Sequence, residues 1–133
     1  MCRKKNIYIL QIIMLLLLYS CNSNHFRFDD NNQEIISTDT YFSEIEIENI
    51  STGECFTIRR KKNGEKEREI VLTQISNNYT IKKCFTEQKI NDIKYTNNSI
   101  YKITNVGVPD ASQYAIILKC DSMGLLHVYD GIQ

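Results

Sequence analysis

From residue 41 to residue 129 apolar and polar residues alternate in short runs, the period of strands that bury one face. Phe42, Ile45 and Ile47 are interleaved with Glu44, Glu46 and Glu48, which predicts a half-buried strand ending near Asn49. After a turn at Ser51-Thr52-Gly53, strands are predicted over 55–62 and 65–76. Between them lies Asn63-Gly64, a dipeptide that tolerates the positive φ angles of a type I′ hairpin turn. Further strands are predicted at 79–86, 99–106, 113–121 and 125–129. The stretch 89–95 reads as a weaker strand, with one helical turn over 87–93 as the alternative. Ala115-Ile116-Ile117-Leu118 is the most apolar of these segments and predicts burial on both faces.

About seven or eight short strands with no long helical pattern predict an all-β fold, a small antiparallel β-sandwich. For this size an immunoglobulin-like or fibronectin-like arrangement is the analogy, although the chain has no Trp to place between its cysteines. A small barrel is the alternative.

A two-residue loop at Asn63-Gly64 sets Lys62 opposite Glu65 and Arg60 opposite Glu67. On the other face it sets Arg59 against Arg68 and Lys61 against Lys66. These four residues form a candidate basic surface patch, a finger for an acidic partner. The competing reading is a solvated tip whose charges discourage edge pairing.

The N-terminal stretch has a different pattern. Arg3, Lys4 and Lys5 precede an apolar run over 7–18, which is too short to cross a ~30 Å hydrocarbon layer as a permanent helix. The run closes on Leu18-Tyr19-Ser20-Cys21. A Leu three places before a Cys, with Ser directly before it, resembles the lipobox of bacterial lipoproteins. The resemblance covers residues 1–21, and Tyr19 is bulkier than the usual residue there. It implies cleavage after Ser20, a diacylglycerol on the Cys21 thiol and usually a fatty acyl (palmitate-type) group on the new amino terminus. Cys21 is thus the expected lipidation site, and no other cofactor is expected. The implied location is the cell envelope. Asn22-Ser23-Asn24, rather than an acidic cluster, follow Cys21, which favours the periplasmic side of the outer membrane over surface display.

The expected organisation is a signal peptide at 1–20, a polar tether at 21–40 and the β domain at 41–133. The tether is crowded with Asn, Asp, Ser and Gln, with Phe26, Phe28, Ile35 and Ile36 as exceptions able to dock onto the domain. His25 is expected to be solvated.

Removing residues 1–20 leaves 113 of the 133 residues, enough for one domain with a modest core. The signal holds three of sixteen basic residues and none of sixteen acidic ones, so the mature part carries a net charge of −3. That balance argues against nucleic acid as a partner.

Cys55, Cys84 and Cys120 remain after Cys2 and Cys21 are set aside. No pair has metal-ligand spacing, so no metal site is expected. The predicted strand faces favour a Cys55–Cys84 disulfide, with Cys120 free and buried.

No catalytic constellation emerges. His127 sits on a strand as a bystander, no G-x-S-x-G elbow accompanies Asp121, Ser122 and His127, and the glycines are isolated turn residues. A deep pocket joining His127 to two carboxylates would revive an enzymatic role. Asp121-Ser122-Met123 resembles a short O-glycosylation acceptor, which makes Ser122 a candidate, but Asp-Ser before Gly is equally what a tight turn requires. Asn49-Ile50-Ser51 fits the N-glycosylation pattern, as an Asn-rich chain does by chance. The expected function is a membrane-anchored, non-enzymatic binding or accessory module with an unknown protein or glycan partner. The alternative is an immunity protein that neutralises a toxin at the membrane.

Overall fold

The computed structural model describes residues 8, 9, 11–14, 25–38, 40–107 and 114–131. Ten strands succeed one another: β1 (Phe26–Asp29), β2 (Glu34–Ser37), β3 (Glu44–Asn49), β4 (Cys55–Arg60), β5 (Glu69–Val71), β6 (Tyr79–Lys83), β7 (Lys89–Ile90), β8 (Ile100–Asn105), β9 (Tyr114–Cys120) and β10 (Leu126–Val128). They make two antiparallel sheets, one in the order β1-β2-β5 and one in the order β10-β9-β8-β3-β4-β6-β7. The chain is nearly all-β. Residues 8, 9 and 11–14 are helical, and no helix among the described residues is long and apolar enough to cross a membrane.

Side-chain alternation decides which face of the large sheet is buried. Ile58 of β4 lies opposite Ile45 on one side and Ile81 on the other. Ile47 lies between Phe56 and Ile103, and Tyr101 faces Leu118. These side chains form one buried face, and the small sheet covers it with Phe26, Ile35 and Ile70 in a single core cluster. Each such side chain contributes about 1.5–3 kcal/mol on burial.

The segment from Phe26 to Ser37, expected as tether, is a hairpin with Phe26 and Ile35 in the core. Phe26–Ser37 therefore packs as part of the β core. The apolar residues noted there as exceptions supply a covering layer for the large sheet. Asp29 Oδ1 accepts from Asn31 N (3.0 Å) to shape the turn. Gln33 holds a positive φ of 54° at its end. Gln33 Nε2 donates to Leu126 O (2.9 Å) while Leu126 N donates to Gln33 Oε1 (2.8 Å), so the hairpin is clasped to β10. Such a backbone outlier is sustained when its surroundings over-determine it.

Asn63-Gly64 does not form the expected hairpin. β4 is flanked by β3 and β6, so no free edge remains for the segment that follows it. That segment turns away at Lys61, where Gly64 N donates to Lys61 O (2.9 Å). It reaches the small sheet as the three-residue β5, with Ile70 and Leu72 buried. Gly64 is needed for close approach, since a Cβ there would stand 2.5 Å from Asn78 O.

Two smaller differences concern β9 and β7. The 113–121 run forms β9 as predicted, but residues 114–117 are half-buried rather than enclosed, because the small sheet covers one face only. The weak 89–95 segment shrinks to the two residues of β7 at the sheet edge.

If Phe26–Ser37 belongs to the core, Ile35→Ala should cost about 2–5 kcal/mol in urea unfolding. A loss below about 0.5 kcal/mol, the surface range, would mean that the hairpin is a tether after all.

Candidate functional site

The outer face of β4, β6 and β7 carries a cavity of about 240 Å³. Six of the chain's sixteen basic residues line it: Arg59, Arg60, Lys61, Lys82, Lys83 and Lys89. The strand order assembles them, since Thr57 pairs with Lys82, Arg59 with Thr80, and Lys82 with Lys89. Two cations are compensated. Arg59 Nε meets Glu44 Oε2 at 2.9 Å, a hydrogen bond that holds the guanidinium above its ordinary pKa, and Lys82 Nζ meets Glu87 Oε2 at 3.5 Å. Arg60, Lys61, Lys83 and Lys89 have no ion pair among the described residues. Lysines 82 and 89 stand directly opposite each other, an unfavourable pairing that a bound anion would relieve.

The expected basic patch is not a single hairpin face. Arg59 and Lys61 line this cavity, whereas Lys66 and Arg68 sit over the half-exposed ring of Tyr41, at 6.0 and 5.4 Å from its centre. Lys82, Lys83 and Lys89 were missed, because nothing in the sequence says that β6 pairs with β4.

The two ends of the sheets differ in chemistry. At the end where the chain enters the domain, a row of backbone bonds crosses the rim. Thr38 N donates to His25 O, Ser37 N to Arg68 O, Phe42 N to Glu67 O, Arg60 N to Ser43 O and Lys61 N to Asn78 O. This rim is basic. At the opposite end Ile50 N donates to Ile100 O, Asn98 N to Cys120 O and Cys84 N to Cys55 O. The turns gathered there expose Ile50, Phe85, Met123 and Leu125, with Phe85 86% and Met123 82% accessible.

Cys55 and Cys84 are joined as a disulfide on the outer face, with Cα atoms 5.3 Å apart, and Cys120 is free and buried. Burial raises the Cys120 thiol pKa. Glu46 lies close to the disulfide sulfurs, a grouping that would offer metal ligands only if the bond were reduced.

The two histidines have partners the sequence did not suggest. His25 is exposed, as expected, and its ring also stacks on Tyr114 with ring centres 4.4 Å apart. His127 lies between two carboxylates, Nδ1 2.9 Å from Asp30 Oδ1 and Nε2 2.7 Å from Asp121 Oδ2. The Asp121 hydrogen bond, then that of Asp30, raises the imidazole pKa, and the same His127 bond lowers that of Asp121. Both ring nitrogens therefore face carboxylates. The arrangement serves as a second clasp between the β1–β2 turn and β10. No sequence signal tied Asp30 to a histidine almost a hundred residues away.

Ser122 is exposed in the β9–β10 turn, where Asp121 Oδ1 accepts from Met123 N (2.8 Å) and Leu125 N (3.0 Å) and Gly124 takes a φ of 82°. The local sequence thus fulfils its turn role. Asn49 is buried, and its Oδ1 accepts from Ser51 N (2.9 Å), so its amide cannot receive a glycan in the folded domain. Cys21, the expected lipidation site, lies outside the described residues. Comparison with protein-family models, curated proteins and solved structures finds no match.

The clasp gives a signed pH dependence. A raised histidine pKa adds stability that is complete below the unfolded value of ~6.5 and is lost as pH rises through the folded value. A lowered aspartate adds stability above the ordinary carboxylate range that is lost as pH falls through the folded value. Protection of the Phe26–Ser37 amides, taken relative to the rest of the domain, should therefore be highest near pH 5–6 and fall towards pH 8–9. The His127→Gln variant should lose the alkaline part of that dependence. An NMR titration placing the His127 pKa below ~6.5 would sink the assignment.

Proposed function

We propose that this chain is a lipid-anchored, non-enzymatic binding module of the cell envelope, held through Cys21. On this reading its two-layer β fold is a compact sandwich that presents a protein-binding tip away from the membrane. The observation that carries the reading is the opposition of its two ends. The chain enters at the rim marked by His25, four residues beyond Cys21, and the exposed apolar side chains Ile50, Phe85, Met123 and Leu125 occupy the turns at the far end. Four residues reach at most roughly 14 Å, so an anchored domain would stand close to the bilayer with those turns outward. Aromatic and Met side chains are enriched at protein interfaces, and Phe85 gains most from being covered. The absence of an acidic cluster after Cys21 supports the periplasmic side of the outer membrane as the location.

Two measurements test the two halves of the proposal. Cys21→Ser should move the protein from the membrane to the soluble fraction, and unchanged partitioning would remove the anchor. A pull-down from membranes with the lipidated protein should retain a partner, and Phe85→Asp with Met123→Asp should release it. A partner retained undiminished by that variant would rule out the apolar tip as the binding surface.

A further inference from the structure

We infer that the basic rim at the anchored end is a docking surface for the phosphate headgroups of anionic lipids in the bilayer that carries the anchor. This rests on the lipid anchor proposed above and adds an orientation to it. From Arg59 to Arg68 the chain holds six basic residues and two acidic ones, within a mature part whose net charge is −3. The positive charge is therefore segregated.

The fold places this segment on the rim where the chain enters. Ser37 N bonds to Arg68 O, and Thr38 N, next in sequence, bonds to His25 O. Across the same rim, Phe42 N bonds to Glu67 O and Arg60 N to Ser43 O. Lys61, Lys62, Lys66 and Arg68 are exposed there. Of the acidic groups beside this segment, Glu44 is ion-paired to Arg59 and Glu67 accepts from Asn78 Nδ2 (2.7 Å) and Ser76 Oγ (3.1 Å), while Glu65 and Glu69 are exposed.

Distance decides whether such charges feel the membrane. Screening at physiological ionic strength limits surface attraction to about 8 Å, and the four residues back to Cys21 span at most roughly 14 Å. The two lengths are comparable, so a domain tethered so closely returns its rim to the screened layer repeatedly. The lysines and arginines of the rim then meet headgroup phosphates, while Glu46 and Glu48 on the outer face of β3 and the net negative remainder are turned away. Tyr41, half-exposed between Lys66 and Arg68, is an amphipathic ring of the kind that settles at a headgroup boundary.

The test uses the full lipidated chain, whose lipid is first verified by intact mass so that failure of the anchor is seen separately. The protein is placed on vesicles of phosphatidylcholine alone or of phosphatidylcholine mixed with phosphatidylglycerol, and lysine acetylation is followed by mass spectrometry. Lys61, Lys62 and Lys66 should be acetylated about fivefold more slowly on the anionic vesicles, while Lys102 and Lys119 at the far end keep their rates. High salt should abolish the difference. Arg60→Gln with Arg68→Gln should weaken the protection of the three lysines without removing the protein from the vesicles. Equal rates on both vesicle types would overturn the docking surface and leave the anchor standing. Equal protection by millimolar inorganic phosphate without vesicles would identify a soluble oxyanion as the ligand and overturn it too. So would protection that appears only when an acidic protein from the envelope is added.

Discussion

The buried face of the seven-stranded sheet cannot be left in water. Ile45, Ile47, Phe56, Ile58, Tyr101, Ile103 and Leu118 share it, and β3, β4 and β8 turn polar residues such as Glu46, Thr57 and Lys102 the other way. Burying it against a second layer is the dominant favourable term open to a chain of this size. The second layer is assembled from pieces far apart in sequence, the Phe26–Ser37 hairpin and the three residues of β5. Gln33 and the Asp30–His127–Asp121 cluster then fix that hairpin to β10 with directional bonds, where apolar packing alone would let it slide.

This covering layer also sets the polarity of the molecule. Because the first hairpin is part of the core, the chain enters the domain at one defined rim. The segment that leaves β4 must cross that rim to reach β2, and it carries four basic residues, Lys61, Lys62, Lys66 and Arg68, as it does so. A cationic rim where the chain enters the domain is thus a consequence of how the small sheet is completed. The turns at the opposite end carry the exposed apolar side chains Ile50, Phe85, Met123 and Leu125.

Much of the strand pattern could be read directly. Ile45 and Ile47 among their glutamates, and Tyr101 and Ile103 in β8, follow the alternation closely, and the faces assigned to Cys55 and Cys84 place both where the disulfide lies. The turn at Asp121-Ser122-Met123-Gly124 was also legible, because Asp caps and Gly with positive φ are local devices. Asn63-Gly64 misled for an instructive reason. Local turn preference acts on a few residues, and it lost to the lack of a free edge on β4 and to the burial of Ile70 and Leu72. The 21–40 stretch misled because its polar composition outweighed four apolar side chains whose value depends on a surface found elsewhere.

By itself, the sequence determined the strand-rich class, the faces of most strands, the position of the apolar N-terminal run before Cys21 and the basic density of residues 59–68. These are properties of nearest neighbours and short periods. Tertiary structure alone decided strand order, the recruitment of Phe26–Ser37 into the core, the convergence of Lys82 and Lys89 with Arg59, and the clamping of His127 between Asp30 and Asp121. Such contacts join residues tens of positions apart. They are selected by which exposed faces and edges remain once the large sheet has formed, and no local pattern carries that information.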